Sequence, residues 1–177
     1  LLYIQNMAEK NSSILSPEYL NFKNEITARI RSAQYEALKA VNKEIIALYW
    51  EVGKRITEQQ TALGWGKSVV ENLSRDIQKE FPGIQGFGVR NMWDMARFYA
   101  EYQSNEILQP LVAEISWSKH IVILTKCKET RQRQFYILAT KKYGWTKDVL
   151  INKIEAKTYE NYLLGQSNFD ITLPDSI

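Results

Sequence analysis

The sequence predicts an all-α fold, a long N-terminal helix followed by a multi-helix core with a helix-turn-helix-like corner. Three observations carry this. From Glu18 to about Ala62 there is no proline, and Gly53 is the only glycine. Glycines, prolines and capping residues then cut the rest into segments of helical length. No stretch alternates apolar and polar residues as a half-buried strand would.

Ser16-Pro17 supplies an N-cap and a proline at the first helical position. Tyr19, Phe22, Ile26, Ile30, Ala33, Ala37, Val41, Ile45, Leu48, Val52 and Ile56 follow at spacings of three and four, one apolar stripe on a helical cylinder. Unbroken, this helix would be on the order of 65 Å long. It must therefore break, with Gly53 as the candidate point, or lay its stripe on a second copy. The spacing is closer to an eleven-residue than a seven-residue repeat, so a standard left-handed coiled coil is not expected.

Gly64-Trp65-Gly66 stops that helix, and Ser68 to Phe81 forms a shorter one with Val69, Val70, Leu73 and Ile77 inward. Pro82-Gly83 ends it. After Gly86 and Gly88 a helix runs from about Val89 to Tyr102, with Met92, Trp93, Ala96, Phe98 and Tyr99 as its apolar set. Gln103 to Ile115, containing Pro110, reads as a looser segment. Ser116 caps a helix to about Thr125, Glu129 to Tyr143 forms the next, and Gly144 stops it. Thr146 caps a last helix from Lys147 to about Tyr159. Ile121 to Leu124 is a short apolar run that also leaves a small β-wing open. GWGKSVVEN and GWTKDVLIN, starting at Gly64 and Gly144, share the order of glycine stop, tryptophan and new helix, one physical device used twice. The domain reading is a flexible N-terminus over 1–17, a helical domain over 18–164 and the start of a polar linker over 165–177.

The 177 residues are 45% hydrophobic and 24% charged, as in an ordinary globular protein. Net charge is only +3, but it is unevenly placed. Leu1 to Ile115 holds 13 Lys+Arg against 14 Asp+Glu, whereas Ser116 to Lys147 holds eight basic residues against Glu129 alone. Such a cluster is an electrostatic footprint for phosphates. One cysteine, Cys127, excludes an intramolecular disulfide, and one histidine, His120, excludes two-histidine zinc sites. His120 and Cys127 are about two helical turns apart, too far for a catalytic dyad. No phosphate-binding loop, dinucleotide glycine motif or converging carboxylate set occurs, so no cofactor and no catalysis within these residues is expected. The absence of a long apolar run predicts no membrane span and an intracellular, cytoplasmic protein.

FPGIQGFGVRN, from Phe81, places Arg90 and Asn91 at the start of a helix after a turn. In helix-turn-helix proteins those positions touch base edges, arginine pairing with guanine and asparagine with adenine. Arg90, Asn91 and Arg97 are thus candidate base or groove contacts. Lys119, His120, Lys126, Lys128, Arg131 and Arg133 are candidate phosphate contacts from the basic stretch.

The ordered blocks GWG, FPG-x-x-GF-x-x-RN-x-W, W-S-x-H and GW[ST], from about Tyr19 to Phe169, resemble the N-terminal domain of the DUF1016 (YhcG) family of bacterial proteins. Where that family usually reads Leu-Pro-Trp-Ser-His-His, this chain has Ile115-Ser116-Trp117-Ser118-Lys119-His120, replacing the proline and the first histidine. The resemblance implies a helical DNA-binding or assembly module joined to a C-terminal nuclease-like domain of the PD-(D/E)xK type, whose catalytic motif matches no position here. The expected function is DNA binding and homodimerisation through the N-terminal helix, targeting that nuclease domain to DNA. The alternative is a module that assembles the nuclease or docks a restriction or toxin partner without touching nucleic acid. The apolar stripe and the five tryptophans and ten tyrosines motivate it.

Overall fold

A computed structural model describes residues 16–64, 66–105 and 109–166. Among them are seven α-helices, one 3-10 helix and no strand: α1 (Pro17–Leu63), α2 (Lys67–Glu80), α3 (Val89–Tyr102), the 3-10 helix (Gln109–Glu114), α4 (Trp117–Lys126), α5 (Thr130–Tyr143), α6 (Lys147–Glu155) and α7 (Thr158–Gln166). The all-α prediction holds, and the β-wing does not form. Ile121 to Leu124 lies inside α4, where Val122, Ile123 and Leu124 are buried and a strand would have no partner. No helix among the described residues is long and apolar enough to cross a membrane. Residues 1–15 of the N-terminal segment, Trp65 and residues 167–177 of the linker lie outside the described residues, while Ser16 and Pro17 are described and Pro17 begins α1.

The chain divides into two compact units, residues 1–41 and 42–177. In the first, Ser16 caps α1 as expected, its Oγ accepting from the Tyr19 amide at 3.2 Å. No described residue of this unit is buried, and Phe22, Ile30 and Val41 are each more than half exposed.

In the second unit α1 does not break at Gly53. That glycine is buried against α3, where an added Cβ would lie 2.1 Å from the Met95 carbonyl oxygen. The core face of α1 is Ile46, Tyr49, Gly53 and Ile56, whereas Ile45 and Leu48 of the sequence stripe remain exposed. Neighbouring positions on a helix are 100° apart, so a one-residue error in reading the stripe selects a different face. Two apolar clusters form the core. The smaller joins Ile56, Val70, Met92 and Ala96. The larger gathers Ile46, Phe98, Tyr102, Val112, Ile123, Tyr136, Ile137 and Leu150, from α1, α3, the 3-10 helix, α4, α5 and α6, and Tyr159 of α7 packs against it.

On α2 the inward residues are Val70 and Ser74, not Leu73, which is 38% exposed. Ser74 is polar but buried because its hydroxyl donates to the Phe87 carbonyl at 2.7 Å and fixes the α2–α3 connection. On α3, Met95 and Tyr102 are buried, while Trp93 and Tyr99 are only half-buried. Gly64 and Gly144 both take left-handed backbone, φ +64° and +62°, so the repeated sequence block is the same helix stop used twice. Thr146 caps α6 by accepting from the Val149 amide.

The last predicted helix is two. Lys157 adopts φ +51° between α6 and α7. The Tyr136 hydroxyl spans the break, donating to the Lys153 carbonyl (3.4 Å) and accepting from the Tyr159 amide (3.2 Å). Those two backbone groups are ones a helix end leaves without intrahelical partners. A side chain from α5 satisfies them, so neither glycine nor proline marks the break in the sequence.

Candidate nucleic-acid interface

The α2–α3 connection runs from Phe81 to Gly88, eight residues, against the three or four of DNA-binding helix-turn-helix motifs. It is held from inside the fold. Asn91 Nδ2 donates to the Gly86 carbonyl, and Asn91 Oδ1 accepts from Trp117 Nε1 at 2.7 Å. Trp117 in turn packs edge-on against Tyr49 and Phe98, with ring centroids 4.8 and 5.3 Å away. Asn91 therefore has both ends of its carboxamide engaged and ties the turn to α4. It also lines the groove formed by α3, α4 and α6, so a base edge there would compete with these two bonds.

The solvent side of α3 carries Arg90, Asp94, Arg97 and Glu101, a face with no net charge. Arg97 donates to the Leu124 carbonyl, one of the last carbonyls of α4, where a cation also meets the negative end of the helix dipole. Glu101 accepts from Arg133. Of the three residues predicted to enter a groove, only Arg90 is exposed with no partner among the described residues.

Two predicted phosphate contacts are inside the protein. Arg133 is 5% exposed, and its Nε donates to the Cys127 carbonyl at 3.0 Å while a terminal nitrogen pairs with Glu101. His120 is fully buried beneath Phe98 and Tyr102, with Nε2 donating to the Val112 carbonyl at 2.6 Å. Neither reaches a phosphate in this fold. Both fall within the basic run, which reports charge along the chain and not the side of the helix a residue occupies. Cys127 is buried as well, and burial pushes its thiol up to about 11, so it is no nucleophile.

Burial lowers the His120 imidazole to about 4 from its ordinary 6.5. Above pH 6.5 the residue is neutral in both folded and unfolded chains, and its contribution to stability is complete. As pH falls towards 4 the unfolded chain takes up a proton that the folded one refuses, and on the order of 3 kcal/mol is lost. Denaturation of wild type and His120→Gln at pH 7 and pH 4 measures this. The stability gap between them is expected to shrink at the lower pH, and a constant gap would contradict it.

What converges is a different set. The first turn of α3, one side of α4 and the start of α6 enclose a groove of about 730 Å³. Arg90, Lys126 and Lys147 line it, opposed by Asp94, over a floor that includes Val89, Trp117, Ile121 and Ile151. Gly88 and Ser116, which precede α3 and α4, place no side-chain acceptor on the first-turn amides, so two positive helix ends border the groove. Lys126 also forms a 2.7 Å ion pair with Glu155, a surface contact of about 0–1 kcal/mol that an incoming phosphate can displace. Lys128 and Arg131, next along the chain, are exposed and pair with no described residue. Lys119 lies on another side of α4, half-buried, and desolvation holds its ammonium below the usual lysine range. Lys147 belongs to the basic stretch without being among the residues expected at phosphates; its place at the head of a threonine-capped helix after a glycine stop is the local signal for it.

Comparison with known proteins agrees with the motifs. Residues 25–161 match the family described as the DUF1016 N-terminal domain. The chain belongs to this family. A relative, "Putative nuclease YhcG" of Escherichia coli (strain K12), is 26% identical over 168 residues, covering 77% of this chain. This DUF1016 domain spans 44% of that relative, less than half its length. No solved structure matches.

Proposed function

We propose that this DUF1016 domain is a DNA-binding and self-associating module that brings a nuclease domain to its substrate. The observation that carries the DNA reading is the convergence of Arg90, Lys126 and Lys147, from three helices, on one groove. Lys128 and Arg131 extend the cationic surface past the end of α4. Phosphate neutralisation supplies most of the affinity in such an arrangement, and the near-neutral face of α3 favours backbone contact over base reading. Arg97 and Lys119 do not line the groove. Asn91, His120 and Arg133 act as framework instead. The relative's name supplies the nuclease half of the proposal.

The test is anisotropy of labelled duplex, single-stranded and branched DNA across a salt series. Affinity is expected to fall steeply with salt. In the double variant Arg90→Ala/Lys147→Ala the slope of log affinity against log salt should flatten by about two. Absence of binding to all three DNAs at low salt would overturn the DNA reading. A second reading, protein assembly without nucleic acid, is favoured by the exposed apolar residues of α1 before Asn42. Within the proposal that same surface serves self-association.

A further inference from the structure

Tyr143 is the last residue of α5, and Gly144 after it takes left-handed backbone, φ +62°. That turn folds the chain back on itself, and the rings of Tyr143 and Trp145 lie face to face, 21° from parallel with centroids 5.7 Å apart. Aromatic pairs inside the fold differ: Trp50, Phe98 and Tyr102 meet edge-on. Trp145 is half-buried and packs on the larger core cluster, which anchors it. Tyr143 is the outer leaf, 63% exposed, and belongs to neither core cluster. A ring left in water adds little to stability, yet this one presents a flat apolar face on a rigid support.

Cations surround the pair. The Lys142 ammonium stands over the Tyr143 ring, 5.6 Å from its centroid, and Lys153 over Trp145 at 5.8 Å. Lys147 and Lys157 are near in the chain, and all four lysines are exposed, with no ion pair among the described residues. Of the acids in this stretch Glu155 is paired with Lys126, leaving Asp148. Lys147 also lines the groove between α3, α4 and α6, and it is at most about 7 Å of backbone from Trp145. The stacked rings therefore adjoin the cationic groove.

A flat aromatic face among such ammonium groups suits a nucleobase and its phosphates. Stacking on an aromatic ring is indifferent to base sequence, and flanking cations take the backbone. Inside a duplex each base has both faces covered by its neighbours, whereas an unpaired base has a face to give. We infer that Tyr143 and Trp145 stack the bases of an unpaired strand whose phosphates run over Lys142 and Lys153 towards Lys147. A base arriving on Tyr143 moves the Lys142 ammonium from the ring to an adjoining phosphate. The domain then takes single-stranded DNA, or the single-stranded part of a branched one, in preference to plain duplex. This rests on the DNA reading above and adds the class of DNA.

Anisotropy on the full chain tests it, with a labelled oligothymidylate and a duplex of equal length. Wild type is expected to bind the single strand more tightly at equal salt. Tyr143→Leu keeps an apolar side chain but removes the flat face, and it leaves every lysine in place. It should weaken single-strand binding about ten-fold and duplex binding by less than about two-fold. The slope of log affinity against log salt should match wild type, since no phosphate contact is lost. Tyr143→Trp should restore single-strand affinity. Both variants should melt with wild type, because the replaced ring is exposed. A wild type that prefers duplex, or a Tyr143→Leu protein that binds single strands undiminished or loses both DNAs equally, overturns the stacking inference and leaves the DNA reading standing. A wild type that binds neither DNA, even at low salt, overturns both and assigns the exposed rings to a protein partner.

Discussion

Gly53→Ala is expected to lower the unfolding free energy by about 3 kcal/mol, although alanine is the better helix former by about 1 kcal/mol. The added Cβ would stand 2.1 Å from the Met95 carbonyl oxygen and 2.6 Å from its carbon, with the Ala96 nitrogen at 3.1 Å. These are backbone atoms of α3 and cannot rotate away. Relief requires α1 and α3 to separate, which opens the cluster of Ile56, Val70, Met92 and Ala96 that the close approach seals. Gly88→Ala is the control: its Cβ would meet nothing within 4 Å, and it should change stability little. Urea denaturation of the two variants decides the matter. A Gly53→Ala protein as stable as wild type would mean that the two helices are not in contact there.

Arg133→Ala carries the second large effect, a loss of about 3 kcal/mol. The guanidinium joins the Cys127 carbonyl at the end of α4 to Glu101 on α3, from a position on α5 that is 5% exposed. Truncation leaves that carbonyl without its donor and a cavity among three helices. Glu101, 37% exposed by side chain, can recover water, which keeps the cost at the lower end for a broken buried pair. Arg133→Lys should restore only part of the stability, because a point ammonium cannot serve two acceptors from one plane. Thermal melts give the size. The same variant separates framework from binding: its folded fraction should keep the wild-type salt slope for DNA, whereas a slope shallower by about one would make Arg133 a phosphate contact after all.

The helix inventory was legible because its signals are local. Ser16 and Thr146 cap, Gly64 and Gly144 take left-handed backbone, and proline and glycine punctuate the α2–α3 corner. The break at Lys157 was not legible, since the groups it frees are met by Tyr136, more than fifteen residues away in the chain. The candidate site was legible as charge and illegible as geometry. Arg90 and Lys126 reach the groove and Asn91 borders it with its carboxamide tied up inside, but His120 and Arg133, from the same stretch as Lys126, turn inward.

The chain by itself determined the all-α class, the order of helices, the basic stretch and membership of the DUF1016 family. Each depends on neighbours in sequence, through backbone propensity, capping and composition. Tertiary structure alone decided which face of α1 enters the core, why Gly53 is glycine, and which cations remain in water. Those outcomes depend on the angle and distance at which one helix meets another. A shift of one residue, 100° on the helix, exchanges a buried side chain for a solvated one.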